Sequence, residues 1–86
     1  MLFHKKKNGK DCYLIPRYVV IIMAEHNFVK MITEDGKLFC VDGTLEHALE
    51  AMLREKIEAV LVHRSYIVNM DYVVNIEEDE ITFAPA

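Results

Sequence analysis

Only one stretch of this chain carries a helical period, and it is short. Leu45, Ala48, Leu49, Met52 and Leu53 fall at i, i+3, i+4, i+7 and i+8, while Glu46, Glu50, Arg54 and Glu55 take the opposite side. Gly43 breaks the segment before it, and Thr44 is a residue type that caps helices. The pattern predicts a helix from about Leu45 to Lys56. Its apolar stripe reads as packing onto a sheet, with a partner helix as the alternative.

Elsewhere the chain is built from short β-branched or aromatic runs divided by turn signals. Asn8-Gly9 separates Met1–His4 from Cys12–Ile15, and Asn-Gly tolerates the two positive φ angles of a type I′ hairpin turn. Pro16 ends the second of these strands, because it has no N–H to donate to a ladder. Tyr18–Ala24 is continuous and apolar, which suits a strand buried on both faces. Glu25-His26-Asn27 makes a tight connection to Phe28–Thr33, and Glu34-Asp35-Gly36-Lys37 turns the chain into Leu38–Asp42. Beyond the helix come Ala59–Val62, a polar break at His63-Arg64-Ser65, then Tyr66–Val68. A turn at Asn69-Met70-Asp71 leads into Tyr72–Ile76, and Pro85 ends a last strand, Ile81–Phe83. The 86 residues have room for one core, so the expectation is a single domain, 1–86, mainly β with one α-helix.

Charge is distributed unevenly. The net charge is −4, yet Lys5, Lys6, Lys7 and Lys10 all fall in the first ten residues. Taking those four from the ten basic residues leaves six against fourteen acidic ones, four of them consecutive at Glu77-Glu78-Asp79-Glu80. Any contact with a polyanion must therefore be local.

Several classes fall away. The longest apolar run, Tyr18–Ala24, is far short of the roughly 20 residues that cross a bilayer. Met1-Leu2-Phe3-His4-Lys5 puts apolar residues before charges, the reverse of a secretory signal, so a cytoplasmic protein is expected. Cys12 and Cys40 lie far apart and His4, His26, His47 and His63 are scattered. The cysteines read as two buried reduced thiols, with no metal and no cofactor expected. Nucleophile elbows, HExxH helices and Gly-rich phosphate loops are absent, and the chain holds three glycines. His63 and Ser65 share a strand face and can hydrogen-bond, but nothing supplies an orienting carboxylate or an oxyanion hole. The chain reads as a binder, not an enzyme.

The string Val62-His63-Arg64-Ser65-Tyr66-Ile67-Val68-Asn69-Met70-Asp71-Tyr72-Val73 resembles the signature of the LytTR family of bacterial DNA-binding domains. Ala24-Glu25-His26-Asn27-Phe28-Val29, Thr33-Glu34-Asp35-Gly36-Lys37 and Thr44-Leu45-Glu46 match its earlier landmarks in order. The resemblance covers nearly the whole chain. It implies an elongated arrangement of small antiparallel sheets with one short helix, and a transcriptional regulator that inserts loops into successive major grooves of promoter repeats. Family members normally continue into a further strand and a terminal helix carrying another basic DNA contact. With the chain ending at Ala86 and no receiver domain ahead of it, that contact and a phosphorylation input are expected to be missing. Met23 also stands where the family usually has glutamate. Weak DNA affinity is expected unless the protein dimerises.

Residue chemistry agrees with the resemblance on where DNA would be met. Arg64 sits in a polar break, and arginine is the preferred bidentate partner of guanine O6 and N7. The family's residue at that motif position contacts DNA, and His26 and Asn27 fall where it places another contact. Ser65 and Lys30 can reach phosphates, as can Lys5, Lys6 and Lys7 beside the first hairpin tip. His63 and Asn69 read instead as residues that hold their own turns. Ile81 and Phe83 share a strand face and are the expected contact of a homodimer. The alternative function is a protein-interaction module that docks on a full-length LytTR regulator or another partner through its C-terminal edge.

Overall fold

A computed structural model describes residues 3–78 and 80–84, and for Lys7 the backbone alone. The start of the first predicted strand at Met1 and Leu2, Asp79 of the acidic run and the stop at Pro85 lie outside the described residues. The described chain holds nine strands and one α-helix: β1 (Phe3–Lys7), β2 (Lys10–Leu14), β3 (Val19–Ala24), β4 (Phe28–Thr33), β5 (Leu38–Asp42), α1 (Leu45–Arg54), β6 (Ala59–His63), β7 (Tyr66–Asn69), β8 (Val73–Glu77) and β9 (Glu80–Phe83).

All pairings are antiparallel. β5-β4-β3-β7-β6 form a central sheet, with β1-β2 and β8-β9 as separate hairpins. The molecule is elongated, with extents of 41 × 25 × 23 Å. At the first hairpin tip Asn8 and Gly9 have φ of 53° and 77°, the positive pair that a type I′ turn requires.

The core lies between one face of the central sheet, α1 and the base of the first hairpin. Ile22, Met31 and Ile67 sit side by side in register on β3, β4 and β7, and Met52 and Ala48 of α1 close over the same cluster. Phe3 and Leu14, paired across the first hairpin, complete it. The stripe on α1 packs onto the sheet through Leu45, Ala48, Leu49 and Met52, but Leu53, expected in it, is exposed, and Ala51 is buried instead. Thr44 Oγ1 accepts from the His47 amide at 3.2 Å, capping the helix start.

The helix stops at Arg54, two residues before the expected end. Lys56 takes a left-handed φ of 59°, its amide bonds to Leu53 O at 2.9 Å, and the Ile57 amide bonds to Met52 O at 3.1 Å. This is a Schellman closure with a lysine where glycine is usual.

Two expected strand starts begin one residue late. Tyr18 and Tyr72 each end a single 3-10 turn, Pro16–Tyr18 and Met70–Tyr72. The second turn is capped by Asn69, whose Oδ1 accepts from the Asp71 amide at 3.0 Å. The turn role expected of Asn69 is therefore observed. It is also wholly buried, and Nδ2 donates to Val19 O at 3.0 Å and reaches Arg17 O at 3.3 Å.

Two burial expectations are corrected. β3 is buried on one face only: Val19 and Ile22 are covered, while Ile21 and Met23 are half-exposed. The β8-β9 hairpin lies over just part of the second face, and a bulge between Val19 and Ile21 interrupts the alternation. Cys12 is half-buried and Cys40 exposed, because on β5 the alternate residues Phe39 and Val41 take the inner face. Both thiols are free, as expected.

Candidate nucleic-acid interface

The two polar breaks of the sequence meet at one end of the central sheet. The first is the β3–β4 loop, where Glu25 N bonds to Phe28 O at 2.9 Å, leaving His26 and Asn27 exposed at the tip. The second is the turn between β6 and β7. Because β3 pairs with β7 and aligns Met23 with Tyr66, the end of one loop adjoins the start of the other. The Ala24 amide donates to Ser65 O at 2.8 Å and ties them together.

The β6–β7 turn is internally braced. Ser65 N donates to His63 Nδ1 at 3.2 Å, and the His63 and Tyr66 rings lie 5.4 Å apart, tilted at 46°. His63 holds its own turn, as the sequence reading anticipated. Between these braced residues Arg64 is exposed, and its guanidinium makes no hydrogen bond or ion pair among the described residues. A free, projecting guanidinium beside an exposed histidine and asparagine is a set of hydrogen-bond donors suited to base edges and phosphates.

Lys30 is different. It faces outward on β4, diagonal to Glu25 on the same face, and its Nζ lies 2.9 Å from Glu25 Oε1. That hydrogen bond and charge pull the Lys30 pKa above its ordinary value. Its charge is already partnered. Glu25 is not among the residues that sequence reading singles out, although diagonal positions on one face beside a tight hairpin loop are the pattern that flags it.

Lys5 and Lys6 lie apart, on the β1-β2 hairpin, which packs beside β5. Lys5 Nζ stands 5.6 Å from the Phe39 ring centroid, and Lys6 is exposed. The Lys7 side chain lies outside the described residues. Ile81 and Phe83 do share a side, half-buried along an apolar groove between β8-β9 and the second face of the central sheet. Among the described residues no group of histidine, cysteine and carboxylate side chains is placed to hold a metal ion, and no helix is long and apolar enough to cross a membrane.

The model of the LytTr DNA-binding domain family matches residues 10–84. The chain belongs to that family. Among solved structures, the LytTr DNA-binding domain of a Bacillus cereus protein described as a methyl-accepting/DNA response regulator superposes with a TM-score of 0.74. It is 17% identical, and the match covers 95% of this chain and 77% of that one, so the likeness is one of fold. No curated protein matches. The LytTr fold expected from the His63-Arg64-Ser65 string, elongated and mainly β, is the fold observed.

Proposed function

We propose that this LytTr domain is a sequence-specific, non-enzymatic transcriptional regulator that acts in the cytoplasm on double-stranded promoter DNA. Arg64 reads a base, His26 and Asn27 contact the adjacent step, and Ser65 contacts phosphate. The observation that carries this reading is the 2.8 Å bond from Ala24 N to Ser65 O, which sets the two loops side by side with the Arg64 guanidinium free. Two adjacent loops on one sheet end present their side chains to one stretch of duplex together, where base edges and the flanking phosphates lie side by side. Lys5, Lys6 and Lys7, on their own hairpin, would add only non-specific phosphate attraction.

The test is selection of bound duplexes from a random pool, followed by mobility shifts of the selected and a scrambled duplex across salt. A preference of about a thousandfold or more for the selected duplex is expected of a specific binder. Equal binding of both would end the proposal.

A further inference from the structure

The two edges of the central sheet are not alike. At β5 the β1-β2 hairpin packs alongside, with Lys5 beside Phe39. Beyond β6 no described strand follows. Val60, Leu61 and Val62 of β6 are 42%, 49% and 39% exposed, three apolar residues in a row. Such a run on a sheet edge is a template for another strand. The strand holds neither a lysine nor a proline, the residues that commonly block edge pairing, and its regular part ends at a bulge between Leu61 and His63.

Glu58 O accepts from Met70 N at 2.8 Å, so Glu58 faces β7. By alternation Val60 faces β7 too, while Ala59 and Leu61 turn their N–H and C=O groups outward. The Ala59 amide is held locally by Ile57 O at 2.9 Å. Leu61 therefore presents a donor and an acceptor together at the open edge.

Charge selects the direction of pairing. Arg54, Glu55, Lys56 and Glu58 precede β6, two positive and two negative residues. At its other end Arg64 follows, and Glu77, Glu78 and Glu80 stand beside Val62 and His63, one positive residue against three negative. Glu58 and Arg64 form no ion pair among the described residues. A parallel pairing of two copies would set the two acidic ends together, whereas an antiparallel one sets each against a balanced end.

We infer that β6 pairs antiparallel with β6 of a second copy of this chain, about a two-fold axis at Leu61. Each Leu61 N–H then donates to the partner's Leu61 O, so the outward donor and acceptor satisfy each other. Glu58 and Arg64 each stand three residues from Leu61, so Glu58 of either copy lies opposite the partner's Arg64. Val60 likewise lies opposite the partner's Val62. A two-fold contact through Ile81 and Phe83 would instead gather the three glutamates of each copy in one place. Because the β1-β2 hairpin flanks the other edge, association closes at two, and two five-stranded sheets become one. One short strand pair buries less than the roughly 1,200 Å² of stable interfaces, so the dimer is weak and concentration-dependent. Arg64 is shared, so dimer and DNA-bound state exclude each other; this consequence rests on the function proposed above, and the pairing does not.

Disulfide trapping tests the register in a Cys12→Ser/Cys40→Ser background. Residues paired as Leu61 would be have Cα atoms about 5.5 Å apart, within disulfide range. Leu61→Cys should therefore cross-link between copies about tenfold faster than Glu50→Cys, an exposed position on α1. Equal rates would overturn the inference. In sedimentation, Glu58→Arg and Arg64→Glu should each weaken association about fivefold, and the double variant should restore it. Single variants that associate like wild type, or a double variant no better than the singles, would overturn the antiparallel register. Wild type remaining monomeric up to about 1 mM would assign the edge to a strand of another protein. Near-UV circular dichroism checks each fold, and if a charge variant does not fold the cysteine arm decides alone. Saturating selected duplex should slow the Leu61→Cys cross-link. An unchanged rate, with the duplex shown bound by mobility shift, would overturn the exclusion and leave the pairing standing.

Discussion

Asn69 and Val19 are separated by 50 residues in the chain and joined by a buried hydrogen bond of 3.0 Å. The same side chain also caps the Met70–Tyr72 turn. One amide therefore fixes the end of β7 against the start of β3, the two strands from which the His26 and Arg64 loops leave. Asn69→Leu keeps the volume but strands the Val19 carbonyl and the Asp71 amide. It should cost about 2–4 kcal/mol in urea unfolding, since each buried group left unpaired costs about 1–3.

The lysine that closes α1 is in the wrong conformation for its side chain. A left-handed φ costs an L-residue about 1–2 kcal/mol that glycine escapes, although glycine loses more chain entropy on folding. Lys56→Gly should raise the urea midpoint, with a net gain of about 0.5–1 kcal/mol and an unchanged slope.

Tyr72 should make stability fall in alkali. Its hydroxyl lies 2.9 Å from Glu34 Oε2 and 3.2 Å from Arg17 O, two acceptors for one proton. Burial first, then Glu34, pushes its pKa from 10.0 up to about 12. The folded state therefore favours the neutral phenol. That stability is complete below pH 10 and is lost as pH rises through about 12. Tyr72→Phe should lose about 1 kcal/mol at neutral pH, and the gap from wild type should narrow above pH 10 in chemical denaturation.

What the sequence makes legible here is local. The helix with its stripe from Leu45 to Met52 and the Asn8-Gly9 turn depend on neighbours a few residues away, and both are found as expected, while Leu53 at the stripe's end is exposed. Tyr18 and Tyr72 read as strand residues because aromatic side chains favour strands, yet each closes a 3-10 turn, and Tyr72 binds back to Arg17. Strand order is not local. Nothing near His26 says that β3 will pair with β7, so the meeting of the His26 loop with the Arg64 turn could be inferred only through the family resemblance. For Cys40, alternation shows that it opposes Phe39 and Val41 without saying which side is inside. The Lys30–Glu25 pair lay within reach of cross-strand reasoning and was passed over.

Arg64 separates reading from folding. It is exposed and unpaired among the described residues, so Arg64→Ala should leave the melting temperature unchanged. In mobility shifts it should cost about 1–3 kcal/mol on the selected duplex and relax preference at one base position. A large loss of stability would make the arginine structural instead.

Glu25 restrains a cation beside the interface. Glu25→Gln should release Lys30, tightening DNA binding and steepening log affinity against log salt by up to about 1. Lys30→Met in wild type should change the slope little, because that charge is already partnered.

The bond from Ala24 to Ser65 has a thermodynamic side as well. Recognition loops that order themselves only on arrival lose conformational freedom at that moment, and the loss is subtracted from affinity. Here the two backbones are locked to each other before any partner arrives. The ordering that remains is in the side chains of His26, Asn27 and Arg64, about 0.5–1.5 kcal/mol for each one immobilised. On the proposed reading, a domain of this size needs few contacts to hold DNA, since it spends little of their energy on shaping itself.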